Sequence, residues 1–280
     1  MIVLSIIDLN LRPITYPPLP IISMTFTKLT EIPIYGHFSI KIWGLMVAIG
    51  MLVGLFIATK EAKRKKQNPD EIINLFTWII ISSVIGSRLL YVILFWQNYS
   101  SNLLDIFKIW EGGLVFYGGI FAAILTIYIY SKIKNKNFWQ IADIMAPGFA
   151  IGIFFGRIGC FLIGDHIGSP VHWFPFGSTL LNDNILRHEV SAYLSLNGLI
   201  TFLLLWSLRK KFPKTGQIAY IFLIYYSFTR FLLDFFRAQD LRVIDPRFYE
   251  LTISQWLSAL VFIFAIYKFY QTIKGHFSKK

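Results

Sequence analysis

A single cysteine, Cys160, stands in 280 residues, so no intrachain disulfide can form and the chain is not a disulfide-stapled secreted fold. Charge is scarce too. Asp, Glu, Lys and Arg make up 15% of the residues, where a soluble domain carries about a quarter. Acidic residues are the scarcer sign, 15 against 27 basic ones, which leaves a net charge of +12. An excess of that size raises the prospect of a nucleic-acid partner. The basic residues, however, fall in short runs between apolar stretches and build no long cationic face, so no nucleic-acid partner is expected. CxxC pairs and HExxH are both missing, and no metal site is expected. The first residues do not read as a cleavable signal peptide: Asp8 comes before the first basic residue, Arg12, and Pro13, Pro17, Pro18 and Pro20 interrupt the apolar run. No internal repeat stands out.

What is present is apolar: 55% hydrophobic and 18% aromatic residues, with a mean hydropathy of +0.58. Crossing about 30 Å of hydrocarbon takes roughly 20 helical residues. Seven such runs occur, at 38–59, 72–96, 114–130, 141–163, 190–208, 217–236 and 253–270, and Gly112 and Gly113 can lengthen the short third run outward. Hydrocarbon offers no partner to a free N–H or C=O, so the spans must be helices or a closed barrel. The runs lack the two-residue alternation of barrel strands. The expected fold is therefore an all-α integral membrane protein of about seven transmembrane helices.

Loop charge sets the orientation. Lys60–Lys66, Lys132–Lys136, Arg209–Lys214 and the C-terminal lysines Lys268, Lys274, Lys279 and Lys280 hold more than half of the Lys and Arg. These segments follow the first, third, fifth and seventh spans, so they share one side, which the positive-inside rule assigns to the cytoplasm. The N-terminus is then outside and the C-terminus inside. Residues 1–36 form an outer interfacial arm, 37–272 the seven-helix catalytic domain, and 273–280 a basic cytoplasmic tail. The outer segment 164–189, with His166, Gly168, Pro170, His172, Trp173, Pro175, Gly177 and His188, reads as a small periplasmic head, since such residues suit tight turns and surface contacts.

Charges inside spans are the sharpest functional signal, because each costs about 2.5–3.5 kcal/mol to insert. Arg88, Asp143, Arg157, Arg230 and Asp234 are the cases. With the orientation above, the three arginines lie in the outer halves of three helices and can converge. Guanidinium stays charged and matches a phosphate bidentately, so a phospholipid head group is the expected ligand. The alternative is that each arginine pairs with a carboxylate or reaches to the interface; Arg230, Asp234 and Arg237 share a helical stripe and permit that. Arg157 has glycines nearby and no carboxylate one turn away. Gly152, Gly156, Gly159 and Gly164 allow close helix packing or a ligand, and the paired glycines in Glu111-Gly112-Gly113-Leu114-Val115-Phe116-Tyr117-Gly118-Gly119 leave backbone N–H groups open. His166, preceded by Asp165, and His188 can take a proton or hold structural hydrogen bonds. Cys160 reads as a small packed residue, since nothing adjacent would stabilise a thiolate.

Five ordered segments carry a family resemblance. Gly156-Arg157-Ile158-Gly159-Cys160-Phe161-Leu162-Ile163-Gly164-Asp165 resembles the GRxGNFxNGE signature of prolipoprotein diacylglyceryl transferases. Residues 109–119 resemble IWEGGxxFHGG and residues 230–240 resemble RFxxEFFRxPD. Ile42-Trp43-Gly44-Leu45 is similar to RWYGL, and Gly86-Ser87-Arg88-Leu89 to GxRLGY. The resemblance covers about residues 36–272 and implies seven spans with an outer N-terminus. It implies transfer of diacylglycerol from phosphatidylglycerol to the lipobox cysteine thiol of a prolipoprotein, giving a thioether and glycerol phosphate in a bacterial inner membrane. No cofactor is required.

By the same resemblance, Arg157, Arg230, Tyr117, His188, Asp165 and Asp234 carry the chemistry. Arg88, Gly112, Gly113, Gly118, Gly119, Gly159, Cys160, Gly164, His166, Gly168 and Arg237 line the lipid site. A groove open to the outer leaflet would be lined by Arg88, Tyr117, Arg157 and Arg230, in a monomer. The departures concern the proton. The family's FHGG histidine is Tyr117, a poor base near neutral pH; the GRxGN asparagine is Cys160; HPxQLYE survives only as His188-Glu189-Val190-Ser191-Ala192-Tyr193-Leu194; and the sixth-span carboxylate is Asp234. His188 or the Asp165–His166 pair must then serve as base. Two other readings stay open: a divergent transferase with another acceptor, and a non-catalytic phospholipid-binding membrane protein.

Overall fold

The computed structural model describes residues 29–35, 38–100, 102–171, 177–179, 185–240 and 247–277. The expectations placed on His172, Trp173, Pro175 and most of the N-terminal arm lie outside them. Seven helices long and apolar enough to cross a membrane make up the body: α1 Ile42–Arg64, α2 Pro69–Leu94, α3 Phe116–Ile133, α4 Phe138–Ile163, α5 Val190–Leu208, α6 Gln217–Leu233 and α7 Ile253–Phe277. Large apolar side chains such as Leu52, Phe121, Leu260 and Ile263 are exposed, which suits a surface solvated by lipid.

Helix starts follow local chemistry. Asn68 caps α2 by accepting from the Asp70 N–H, ahead of Pro69 at the first helical position, and Asn137 caps α4 by accepting from the Trp139 N–H at 2.9 Å. Two expectations fail at helix starts. Phe38–Lys41 is strand β2, paired antiparallel with β1 Glu31–Tyr35, so the first helix begins at Ile42. Gly112 and Gly113 do not lengthen α3, because their φ of +89° and +75° is left-handed backbone that no right-handed helix contains.

Helix α4 is the central element and packs against α1, α3, α5 and α6. Its contact with α1 is close enough that a Cβ at Gly54 would lie 2.7 Å from the Gly148 carbonyl oxygen, so backbone meets backbone there. Ala146 and Ala150 of α4 pack with Leu205, Ile218 and Phe222 from α5 and α6. On the other flank, Ile144 meets Ala58, Ala62 and Ile72 of α1 and α2.

The basic runs gather at one end of the bundle. Lys65 pairs with the fully buried Asp143 at 3.0 Å, and Arg64 donates to the Arg209 carbonyl at 3.2 Å. Lys136 reaches Gln67 at 3.2 Å, and Lys214 reaches the Thr272 carbonyl at 3.5 Å. Asp143 also accepts from the N–H groups of Gly216 and Ala219 at 2.8 and 2.9 Å. This intramembrane carboxylate therefore caps α6 rather than facing a ligand.

The opposite end carries the small sheets. Strands β3 Ile167–Pro170, β4 Gly177–Thr179 and β5 Leu186–Glu189 form an antiparallel sheet in the order β3-β5-β4, and β6 Arg247–Phe248 pairs with β7 Leu251–Thr252.

Candidate active site at the end opposite the basic loops

The three membrane arginines do not form a set of equivalent free cations. Arg88, buried near the end of α2, donates to the carbonyls of Asp105, Ile106, Gly112 and Gly113 at 2.7, 2.8, 2.7 and 3.3 Å. It clamps the segment before α3. The same bonds occupy the carbonyls of Gly112 and Gly113. Gly118 does not offer the open N–H group expected of it. Gly118 donates to the Val115 carbonyl at 3.0 Å. Gly118 and Gly119 are both buried against α2, where a Cβ at Gly118 would lie 2.3 Å from the Gly86 oxygen. Close helix packing explains this pair.

Arg230 is paired. Its guanidinium donates to Asp234, which is fully buried, and to the Ser254 hydroxyl at 3.3 Å. The Tyr117 hydroxyl lies 3.1 Å from the same Ser254 oxygen, so α3, α6 and α7 meet at one serine. The second carboxylate oxygen of Asp234 accepts from Thr252, and Arg237 stands 3.8 Å from the first. Thus Arg230, Asp234, Arg237 and Tyr117 do come together, with Asp234 as the anionic centre and Ser254 as a bridge that no motif or spacing singles out.

Arg157 differs. It lies half-buried in the last two turns of α4, and among the described residues it has no hydrogen-bond or ion-pair partner. Its charge acts on Cys160, Asp165 and His166. Local sequence explains why these groups cluster. Gly164 takes left-handed backbone at φ +69° and ends α4. The Gly164 N–H then bonds the Phe161 carbonyl at 3.0 Å and the Asp165 N–H bonds the Cys160 carbonyl at 2.9 Å, the paired bonds of a Schellman motif. The chain is turned back so that Asp165 and His166 lie over Cys160. The Asp165 carboxylate faces the His166 imidazole at 2.8 Å. It is held below the ordinary carboxylate range by that imidazole, which in turn is pushed up by Asp165 and then by Cys160. Cys160 itself is buried, with His166, Arg157 and the Trp43 side chain acting on its sulfur. The sequence reading of an isolated packed thiol looked only at chain neighbours and missed them.

The head sheet ties the two clusters together. Ala238 N–H donates to the Ile167 carbonyl at 3.4 Å, and Gly168 bridges Arg237 antiparallel. Gly168 has no room for a side chain: a Cβ would lie 2.6 Å from both His188 Cβ and the Phe236 oxygen. Gly159 packs similarly on Trp43 and Met46 of α1. His188, on β5, has its Nδ1 2.9 Å from the Tyr193 hydroxyl and its ring 4.9 Å from that of Phe236. Burial pushes its pKa below the ordinary histidine value. Beside it, the buried Arg187 makes a two-pronged bond to Asp240 at 2.9 and 2.7 Å. That pair was not anticipated, since nothing in the two positions points from one to the other across the intervening chain.

Comparison with known proteins gives a consistent picture. The family model described as prolipoprotein diacylglyceryl transferase matches residues 30–271. Similar proteins named phosphatidylglycerol–prolipoprotein diacylglyceryl transferase occur in Listeria welshimeri, 33% identical over 82% of this chain and 85% of that protein, and in Finegoldia magna, 34% identical over 79% and 86%. Another, from Streptococcus pneumoniae strain JJA, is 33% identical over 81% and 87%. Seven apolar helices and bacterial relatives make this a multi-pass protein of a bacterial inner membrane. A match that runs from the first hairpin to the last helix, across both clusters, means that the chain belongs to the prolipoprotein diacylglyceryl transferase family.

Proposed function

We propose that the chain transfers the diacylglyceryl group of phosphatidylglycerol to the lipobox cysteine thiol of prolipoproteins, as the names of its relatives state for those proteins. The observation that carries this reading for the site is Arg157, a half-buried guanidinium at the end of α4 without a partner among the described residues. A permanent cation left unpaired in a membrane helix is costly, and a phosphodiester supplies the missing anion with matching geometry.

In this reading the basic loops lie in the cytoplasm, the two clusters face the outer leaflet, residues 164–189 cover them as a periplasmic head, and the enzyme works as a monomer. Arg157 binds the lipid phosphate. Arg230, oriented by Asp234, stabilises the same group with Ser254 and Tyr117 as neutral donors. The acceptor sulfur attacks the terminal glyceryl carbon, and the carbon–oxygen bond to phosphate breaks. The electron pair departs on glycerol phosphate, whose developing charge the guanidinium groups offset. His188 receives the thiol proton. Holding both substrates in one groove removes most of the entropic barrier.

The test is expression in cells depleted of their own diacylglyceryl transferase, following the labelling and mobility of a model lipoprotein. Restored lipidation is expected; bound phospholipid with no transfer would leave only a lipid-binding protein. The state of His188 makes a further prediction. Its neutral form is favoured by burial, so the base persists as pH falls through the ordinary histidine range and is lost only below it. Transfer should therefore hold until below about pH 6.5, and His188→Gln should abolish that acid limb. An unchanged profile in the variant removes His188 from the role.

A further inference from the structure

The three side chains at the end of α4 have a composition that proton transfer alone does not explain. Cys160, Asp165 and His166 each present one donor atom, and these atoms lie within 4.8 Å of one another. Tetrahedral zinc, with bonds of about 2.0–2.3 Å to such donors, separates its ligands by roughly 3.3–3.7 Å, so side-chain adjustment of an ångström or less closes the set. The Schellman turn fixes the backbone on which they sit, and His166 is held at φ +64°, a left-handed conformation that is unfavourable for a non-glycine residue.

One polar atom faces its neighbour across the centre of the set. His166 Nδ1 is buried and faces the Asp165 carboxylate at 2.8 Å, and among the described residues it has no hydrogen bond to any other group. A nitrogen and a carboxylate oxygen at this distance share a proton when the imidazole is charged, and a divalent cation takes that proton's place once the two atoms part to the spacing of tetrahedral ligands. A thiolate and a carboxylate together neutralise a divalent ion, which permits occupancy despite the neighbouring charge of Arg157. The Trp43 side chain, reaching the Cys160 sulfur, supplies the outer-shell contact common around metal thiolates. Cys160 is enclosed while the Asp165 side chain is about half exposed, so one side of the set remains accessible.

We propose that Cys160, Asp165 and His166 form a three-ligand site for a borderline-soft divalent cation of the zinc class, with its fourth position open beside Arg157. Such an arrangement, three protein ligands and one open position, is that of catalytic rather than structural zinc. A thiol that takes the open position gives up its proton, which His188 receives, and is held as a thiolate next to the phosphate-binding arginine. The site thus offers a means of activating the acceptor where Tyr117 replaces the family's histidine. Binding of the metal is independent of the transfer reaction; only its role rests on the function proposed above.

The probe is Co2+ added to the tag-free, full-length protein in detergent, read by its sulfur-to-metal charge-transfer absorption, with Zn2+ displacing it. A one-to-one band that disappears in Cys160→Ala is expected. Asp165→Asn and His166→Gln, both beyond the helix end, should weaken Co2+ by at least the roughly 10–100-fold that losing even an outer-shell partner costs. No cysteine-dependent band at saturating Co2+, or equal affinity in the Asp165 and His166 variants, overturns the site. Lipid transfer measured on the same preparations separates the two claims. Bound metal without transfer upholds the site and sinks the enzymatic reading, whereas transfer undiminished after complete metal removal overturns the metal's role in it.

Discussion

Arg157→Ala should lower diacylglyceryl transfer by about 10²–10³-fold, the cost of removing one preorganised donor from a developing oxyanion, while leaving the fold intact. The two halves of this expectation have one cause. Arg157 has no protein partner among the described residues, so its removal orphans no buried carboxylate, and the usual penalty for breaking an ion pair does not arise. Everything it contributes is directed at the ligand. Arg157→Lys should recover only part of the rate, because an ammonium keeps the charge but loses the two-pronged geometry toward phosphate. Initial rates with labelled phosphatidylglycerol and a lipobox peptide, alongside unfolding in detergent, would check both halves. A variant that keeps a third of the wild-type rate, or that unfolds readily, would mean that Arg157 is structural.

Asp234→Ala should behave in the opposite way and cost both stability and activity. Asp234 is fully buried and accepts from Arg230 and Thr252 on separate oxygens, while the Arg230 side chain is only 11% exposed. Removing the carboxylate leaves a cation without its counter-charge in a place that water barely reaches, an effect of about 3–5 kcal/mol. Transfer falls as well, since Arg230 loses the group that holds it beside Ser254 and Tyr117. Asp234→Glu keeps the charge and should restore most of the stability. If Asp234→Ala unfolds at the wild-type midpoint, the ion pair is not what holds the ends of α6 and α7 together.

The seven spans were legible because the signal for a membrane helix is long and local: each run of apolar residues must be helical whatever it packs against. Their ends were less so. Phe38–Lys41 runs into the apolar helix with no breaker between them, and pairing with β1 makes it a strand. Among the site residues, the arginines announced themselves by the cost of placing charge in a span, but their partners did not. Arg88 meets main-chain carbonyls, two of them at Asp105 and Ile106, where no motif points to it, and Arg187 meets Asp240 across a distance in sequence that no periodicity bridges. The Cys160 cluster lay between these cases. Gly164 gives the helix end away, yet the return of Asp165 and His166 onto the thiol depends on the backbone bonds that the turn makes.

The clamp made by Arg88 has a consequence for how the family can drift. Its guanidinium engages main-chain oxygens at four positions, and every residue type supplies the same oxygen. Most letters between 105 and 111 can therefore change freely without loosening the approach to α3. The arginine itself admits no substitute, since no other side chain spreads so many donors in one plane.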